Sequence, residues 1–302
     1  MNYTLHQLFV FSKVVELRSI SRASEELFLT QPAVSIQLKN FQEQFDVPLV
    51  ELIGKRIHVT DFGMEIYKIV IRILEEINSI EDKTKSFKGL LTGKLKLGVV
   101  STGKYVMPYF LSGFLKKHEG VDLLMDVSNK SSIVKRLVSG EIDFALVSML
   151  PENLELCEEV IMDNELFFIS NTDLVLEKKK FSKADLEKHV LIFREEGSAT
   201  RKIMEDYFSS KNLYARKKIE LTSNEAVKQA VMAGLGISIM PLIGIRNELK
   251  RKKLKIIPSA GLPLKTKWRL VWLKKRTLSP VAQTYIDYLR MEKNNLIKVY
   301  FA

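Results

Sequence analysis

Apolar positions in the first sixty residues recur at helical spacing in short blocks separated by capping residues. Thr4 with Gln7 forms a capping box, and Leu5, Leu8 and Phe9 follow at helical spacing. Ser19 can cap a second helix carrying Ile20, Ala23 and Leu27 on one side. Phe28-Leu29 is a tight connection. Thr30 then caps a third helix with Pro32 in its first turn, where a missing N–H costs nothing. That helix carries Val34, Leu38, Phe41 and Phe45, which at roughly 100° per residue fall within a sector about 60° wide. Two helices joined by so short a turn predict a helix-turn-helix.

Val59-Thr60 leads into a long helix capped by Thr60. Ile66, Ile69, Ile73, Ile77, Ile80, Thr84 and Phe87 follow at alternating spacings of three and four. No proline occurs between Pro48 and Pro108. The stripe can pack on its own chain, but one this narrow on a lone helix favours a partner helix and a dimer.

From Gly93 the pattern alternates between strand and helix. Strands are expected at 94–100, 121–127 and 142–147. Helices between them run to about His118 and around Ile133 to Leu137. The series resumes with strands at 190–193, 218–221 and 235–240, the last stopped by Pro241. The helices in this stretch pass through Ile203 and Phe208 and end at Gly234. Trp268 to Leu273 is a further strand, and Ser279-Pro280 opens a last helix with Val281, Tyr285 and Leu289. The fold class is thus α/β with an all-α N-terminal part.

Composition narrows this reading. The chain has 302 residues, 46% hydrophobic and 27% charged, enough for two domains and unlike a disordered chain. One cysteine, Cys157, excludes an intrachain disulfide, a four-cysteine zinc site and a two-cysteine redox switch. The longest uncharged run, Gln229 to Ile245, is broken by Gly234, Gly236 and Pro241, so no membrane span is expected. The first residues lack the basic segment and cleavage site of a signal peptide, which points to the cytoplasm. The net charge of +11 is unevenly placed. Residues 1–88 carry 11 Lys and Arg against 12 Asp and Glu, whereas residues 246–302 carry 15 against 3. Basicity alone therefore points to the wrong end for nucleic-acid binding, and a solvated lysine-rich surface accounts for it.

Candidate chemistry lies in two places. On the third helix, Pro32, Ser35, Ile36 and Lys39 cluster away from the core stripe, with Gln31 beside them. Gln pairs with adenine, Ser with several base edges, and Ile36 can pack on a thymine methyl. Lys39 suits a phosphate. The alternative is an ordinary solvated helix face. The second place is a set of strand-to-helix turns bearing hydroxyls and amides: Ser101/Thr102, Ser128/Asn129, Ser198/Thr200 and Ser223/Asn224. Each alone is ordinary capping. Together they present free N–H groups and positive helix ends to one crevice, an anion site. Ser148, after the third strand, joins this set. Arg194 and Arg201 flank one turn and Lys104 another, which favours an anionic metabolite. For an enzyme there is little. The four histidines are scattered, and no GxSxG, HExxH, phosphate-binding or dinucleotide-binding motif occurs. No metal or cofactor is expected.

Residues 18–39, RSISRASEELFLTQPAVSIQLK, closely resemble the helix-turn-helix of LysR-type transcriptional regulators. Val47-Pro48-Leu49, Thr60-x-x-Gly63 and GLGISIMP (234–241) resemble the same family, in the right order along essentially the whole chain. The resemblance implies a winged helix-turn-helix (1–59), a linker and dimerisation helix (60–89) and a two-lobed, periplasmic-binding-protein-like effector domain. Its first lobe would span 90–161 and 268–302, its second 162–267. Lobe closure would hinge near Pro151 to Glu165 and Gly261 to Trp268. The implied function is sequence-specific DNA-binding regulation, modulated by a small metabolite, in a homotetramer built from linker-helix dimers. RNA polymerase is a further candidate partner. The alternative is a small-molecule sensor without promoter-specific activity. Gln31, Pro32, Ser35 and Ile36 would face the major groove, with Ser21 and Arg22 of the second helix nearby. The usual LFxR of the family's wing reads Leu49-Val50-Glu51-Leu52 here, so Lys55 and Arg56 would supply the backbone contact. Arg18 stands where glycine is common. Effector contacts would come from Ser101, Thr102, Asn129, Ser148, Arg194, Ser198, Thr200 and Asn224. Segments 100–108 and 194–201 resemble regulators of Calvin-cycle operons, which are associated with phosphorylated sugars, related metabolites and nicotinamide nucleotides.

Overall fold

The computed structural model describes residues 3–53, 56–87, 90–174, 188–214 and 217–301. The chain forms two compact units, Met1–Leu90 and Leu91–Ala302.

In the first unit, α1 (Leu5–Leu17) starts in the expected capping box. The Thr4 hydroxyl accepts from the Gln7 N–H at 3.2 Å, and Gln7 Oε1 accepts from the Thr4 N–H at 2.8 Å. The helix ends at Arg18, whose φ of 49° is left-handed. That backbone state explains why glycine suits the position. Ser19 caps α2 (Ile20–Glu26). Phe28 turns the chain with φ 54° and is 96% exposed. Thr30 caps α3 (Gln31–Gln42) through the Ala33 N–H. Val34, Leu38 and Phe41 pack into one core with Leu8, Phe11, Val14 and Val15. Phe45 differs from the expectation. It lies beyond the end of α3 and reaches the core from the following turn, its ring 5.2 Å from that of Phe41.

The wing is present despite its altered sequence. β1 (Val50–Ile53) and β2 (Arg56–Val59) form an antiparallel hairpin. Gln42 Oε1 fixes its base by accepting from the N–H groups of Leu49 and Val50, at 3.2 and 2.9 Å. Thr60 joins wing to linker. Its hydroxyl donates to the Pro48 carbonyl at 2.7 Å and accepts from the Gly63 N–H at 2.9 Å. The linker helix α4 (Asp61–Phe87) buries Val70 and lays Ile66, Tyr67 and Leu74 against the core. Ile69, Ile73 and Ile80 remain exposed. The side chains of Thr84 and Phe87 lie outside the described residues.

The second unit opens with β3 (Gly93–Val100), α5 (Met107–Lys117), β4 (Val121–Ser128), α6 (Lys130–Ser139) and β5 (Phe144–Val147). β3 pairs in parallel with both β4 and β5, the expected βαβ arrangement. The chain then leaves along β6 (Leu156–Asn171), a sixteen-residue strand that the sequence pattern did not reveal. The second lobe holds β7 (Leu191–Arg194), α7 (Ala199–Ser210), β8 (Lys218–Leu221), α8 (Asn224–Met232), β9 (Ser238–Pro241), α9 (Arg246–Lys250) and β10 (Leu254–Ile256). β7 and β8 are parallel, while β9 and β10 pair antiparallel with β6. β9 begins three residues later than expected and includes Pro241, a tolerated strand-end position.

The return crossing is β11 (Leu264–Leu273), antiparallel to β6 along its length and to β5 at its end. Arg269 pairs with Val160 and Trp268 with Met162, so the register breaks there. One sheet, ordered β10-β6-β11-β5-β3-β4, thus runs through both lobes. Ser279 caps α10 (Pro280–Tyr300). Val281, Tyr285, Ile286 and Leu289 of this helix close the first-lobe core around Phe110, Phe114, Phe144 and Trp268. The second lobe is filled by clusters around Phe168 and Phe208, and around Ile169 and Val231.

Candidate functional site

The DNA-facing candidates lie on α2 and α3. Gln31, Pro32, Ile36 and Lys39 are exposed on α3, and Ser35 is half-buried. Ile36 is 56% exposed, an aliphatic group on the side opposite Val34 and Leu38. Lys39 is free enough to reach a phosphate, with Glu43 a loose 3.7 Å away. On α2, Ser21 is exposed, but Arg22 donates from Nη2 to the Leu17 carbonyl and so ties down the end of α1. Lys55 and the side chain of Arg56 lie outside the described residues.

In the second unit, all eight effector candidates line one cleft. Ser101, Thr102, Asn129 and Ser148 come from the first lobe; Arg194, Ser198, Thr200 and Asn224 face them from the second. Val100, Lys130 and Ala199 complete the lining. The volume is about 10 Å³, room for at most one water molecule. Direct bonds between the lobes hold it shut. The Asn224 N–H donates to Ser101 Oγ at 3.3 Å, and the Ser131 N–H to the Gly197 carbonyl at 3.3 Å. The Tyr105 hydroxyl donates to Glu225 Oε2 at 2.8 Å. Gly197 has φ 83°, and a Cβ there would meet Ser131 Oγ at 2.7 Å, so this contact needs glycine.

Helix starts aim at the cleft, but their hydroxyls differ in availability. Asn129 caps α6 through the Ser132 N–H at 2.9 Å, and Ser223 caps α8 through Ala226 at 3.1 Å. Ser198 precedes α7, yet its buried side chain makes no capping bond. Asn224 Oδ1 is buried with no donor among the described residues. An unbonded hydroxyl and an unbonded carbonyl oxygen at the cleft are the groups a polar ligand would satisfy.

The charges are arranged differently from the expectation. Arg194 is buried, and its Nε and Nη2 grip Glu195 at 2.7 and 2.8 Å. Its Nη1 has no acceptor among the described residues. Arg201 does not line the cleft. It binds Glu205 at 2.8 Å, Glu220 at 2.6 Å and the Arg194 carbonyl at 3.3 Å, which spends its charge on the second lobe's own structure. Lys104 also stays outside the lining and lies 5.1 Å over the Tyr105 ring. The cation that sequence reasoning missed is Lys130, immediately after Asn129. Its Nζ donates to the Leu150 carbonyl at 3.1 Å, and burial pushes its pKa down, partly countered by Glu152.

Tyr105, Glu225, Lys228 and Glu248 form a network beside the cleft. Lys228 bridges Glu225 at 3.1 Å and Glu248 at 2.9 Å. Burial and the bond to Glu225 push the Tyr105 phenol up to about 12. Burial would raise Glu225, but hydrogen bonds from Gln229, Tyr105 and Lys228 outweigh it and hold the carboxyl at about 2. Among the described residues no cluster of histidine, cysteine or carboxylate side chains could hold a metal, and no helix is long and apolar enough to cross a membrane.

A winged helix-turn-helix with an exposed recognition face, followed by a two-lobed domain closed around a polar cleft, defines an effector-responsive transcriptional regulator. Comparisons with known proteins agree. Residues 5–64 match the bacterial regulatory helix-turn-helix of the lysR family, and residues 88–293 match the LysR substrate binding domain. The chain belongs to the LysR family of DNA-binding transcriptional regulators. It is 36% identical over 293 residues to a RuBisCO operon transcriptional regulator of Allochromatium vinosum, covering 97% of each chain. It is 36% identical over 289 residues to the transcriptional activator CmpR of Synechocystis sp., covering 95% of each. The regulatory domain of Synechocystis CcmR in complex with 2-PG is 34% identical, with a TM-score of 0.63, over 68% of this chain and 99% of that one.

Proposed function

We propose that the cleft receives a small polyanion bearing a phosphate and a carboxylate, of the 2-phosphoglycolate kind, and that this ligand tunes operator binding. The observation that carries the reading is the convergence in one cleft of three helix starts, Lys130, Arg194, the Ser198 hydroxyl that makes no capping bond and the unbonded Asn224 Oδ1. Helix N-termini and charge-assisted donors favour phosphate over neutral ligands. The CcmR complex supports the class of ligand. Ser101, Thr102, Asn129, Ser148 and Thr200 orient it. The lobes, 90–161 with 268–302 against 162–267, move about the two crossings near Pro151 to Glu165 and Gly261 to Trp268. Calorimetry of the full chain with 2-phosphoglycolate tests the site. Thr102→Val and Ser198→Ala should each weaken binding by about 1 kcal/mol or more. Binding unaffected by either substitution refutes the placement.

On DNA, Gln31, Pro32, Ser35 and Ile36 read bases in the major groove, Lys39 and the wing residues Lys55 and Arg56 hold phosphates, and Ser21 and Arg22 flank them. Gln31→Ala should weaken operator binding by about 1–3 kcal/mol and leave random DNA nearly unaffected, whereas Lys39→Ala should weaken both alike. Equal losses in gel shifts on the two DNAs would separate the roles from the residues assigned here. The exposed Ile69, Ile73 and Ile80 make α4 a dimer seam, and pairs of dimers form a homotetramer. The regulator works in the cytoplasm, with RNA polymerase as a partner at its promoters, and performs no catalysis of its own.

A further inference from the structure

We propose a second small-molecule site on the effector unit, behind the crossing strands, that takes an amphipathic monocarboxylate. A cavity of about 420 Å³ lies there, sharing no lining residue with the cleft between the lobes. That volume falls within the range of ligand pockets, roughly 300–1,000 Å³. Much of its wall is apolar: Val160 and Met162 of β6, Leu242 and Ile243 after β9, and Ile297 of α10. Such walls suit a hydrocarbon or aromatic body.

Asp163, Asn164 and Glu165 also line the cavity, and two further groups, Arg246 and Trp268, turn donors toward it. Arg246, half-buried, lines it, and its Nη2 donates to the Phe301 carbonyl at 3.2 Å. No carboxylate forms an ion pair with it among the described residues. This sets it apart from the other partly buried arginines of the unit. Arg136, Arg194, Arg201, Arg269 and Arg276 each have a carboxylate within 4.0 Å. Trp268 lines the same cavity, is 1% exposed, and its indole N–H has no acceptor among the described residues. A guanidinium without a counter-ion and a buried donor without an acceptor call for the same guest, an anion.

The two acidic residues that line the cavity, Asp163 and Glu165, do not supply it, since neither forms an ion pair with Arg246 among the described residues. Glu165 pairs with Lys265 at 3.7 Å. Asn164 instead donates to Thr266 Oγ1 at 2.8 Å. One guanidinium in apolar walls matches a single carboxylate, because a phosphate dianion would lose more hydration than one cation returns. The cavity joins Arg246 and the 242–244 turn of the second lobe to α10 on the first. A guest there therefore contacts both lobes and biases their closure.

The test uses the full chain with Trp272→Phe, which leaves Trp268 as the sole tryptophan of the two in the sequence. Hexanoate, phenylacetate and 4-phenylbutyrate are titrated against Trp268 emission, with phenylacetamide as the neutral control, and calorimetry of the unsubstituted chain checks the affinities. At least one acid should bind saturably, about tenfold more tightly than the amide. Arg246→Gln should abolish the preference for acid over amide while leaving 2-phosphoglycolate binding as it was, and Ile297→Phe, which shrinks the cavity, should weaken acid and amide alike. No saturable binding by any of the three acids up to about 10 mM overturns the proposal. So does acid binding that survives Arg246→Gln, or that 2-phosphoglycolate displaces competitively.

Discussion

Replacing Gly63 with alanine should take the DNA-binding unit apart while leaving the effector unit intact. The added Cβ would sit 1.9 Å from the Leu49 carbonyl oxygen, 2.7 Å from its carbon and 3.0 Å from its Cα, all of them backbone atoms. Ordinary contact begins at 3.4 Å, so α4 and the wing must separate by about 1.5 Å. Three bonds cross or brace that junction: the Thr60 N–H to the Leu49 carbonyl at 3.1 Å, the Thr60 hydroxyl to Pro48 at 2.7 Å, and the Gly63 N–H to the Thr60 hydroxyl at 2.9 Å. At about 1 kcal/mol each they contribute about 3 kcal/mol. Residual overpacking adds about 1–3 kcal/mol. A loss of about 4–6 kcal/mol is comparable with the whole stability of a small domain, about 5–15 kcal/mol. Hydrogen exchange resolved by segment is the assay, with a gel shift on the chain's own upstream DNA. Protection should vanish across residues 3–87 and persist beyond 90, and operator binding should be lost. A variant that keeps both, with a loss below about 1 kcal/mol in urea titration, refutes the close-approach argument.

Further outcomes follow from the same geometry. Tyr105→Phe removes a bond to a carboxylate that is 40% exposed, worth about 1 kcal/mol after allowance for solvent, so the cleft opens about fivefold more often. Because the closed cleft of about 10 Å³ admits no ligand, stopped-flow association of 2-phosphoglycolate should quicken by about that factor; an unchanged rate would falsify the gating role. Glu225 is held near 2 against an ordinary 4.5, so its stabilisation is complete above 4.5 and lost as pH falls toward 2. Tyr105 is raised from 10.0 to about 12, so its share is complete below 10 and lost as pH rises toward 12. Opening of the cleft should therefore show no titration of this latch across neutrality, and an inflection there that Tyr105→Phe abolishes would contradict it. Arg18→Gly relieves a left-handed residue at φ 49° and should stabilise the first unit by about 0.5–1 kcal/mol, read by thermal unfolding.

The helix starts were legible because capping is local chemistry: Thr4, Ser19, Thr30, Thr60 and Ser279 each bond a backbone N–H three residues on. The same logic marked the turns that meet in the cleft. Phe45 misled because apolar spacing continues through the turn after α3 although the helix does not. β6 was hidden because its residues serve several surroundings in succession. Glu158 pairs with Arg269, Glu159 with Arg290 and Lys293, and Leu166 and Phe168 fill the second lobe. No period of two survives such a path. The charges were the least legible. Arg201 takes Glu220 from the next strand, and Tyr105 finds Glu225 across the cleft. Nothing near these residues in sequence announces such partners. Lys130, one position past a turn already singled out, was within reach of the same reasoning.

The two long strands that cross between the lobes also set how a signal can move. β6 and β11 are hydrogen-bonded along ten residues and pass through both lobes without a break in the chain. Peptide bonds do not stretch, and a paired ribbon does not shear without giving up its ladder. What it can do is flex, and most easily at Ile161, where the register shift leaves one residue unopposed. The pair behaves as a leaf spring clamped between two rigid plates. Bending is the deformation that costs such a pair the fewest ladder bonds. A spring also returns what is put into it: binding energy that bends the ribbon is stored as curvature and released when the ligand departs. The message passed on is then an angle, and no core has to be rebuilt to send it.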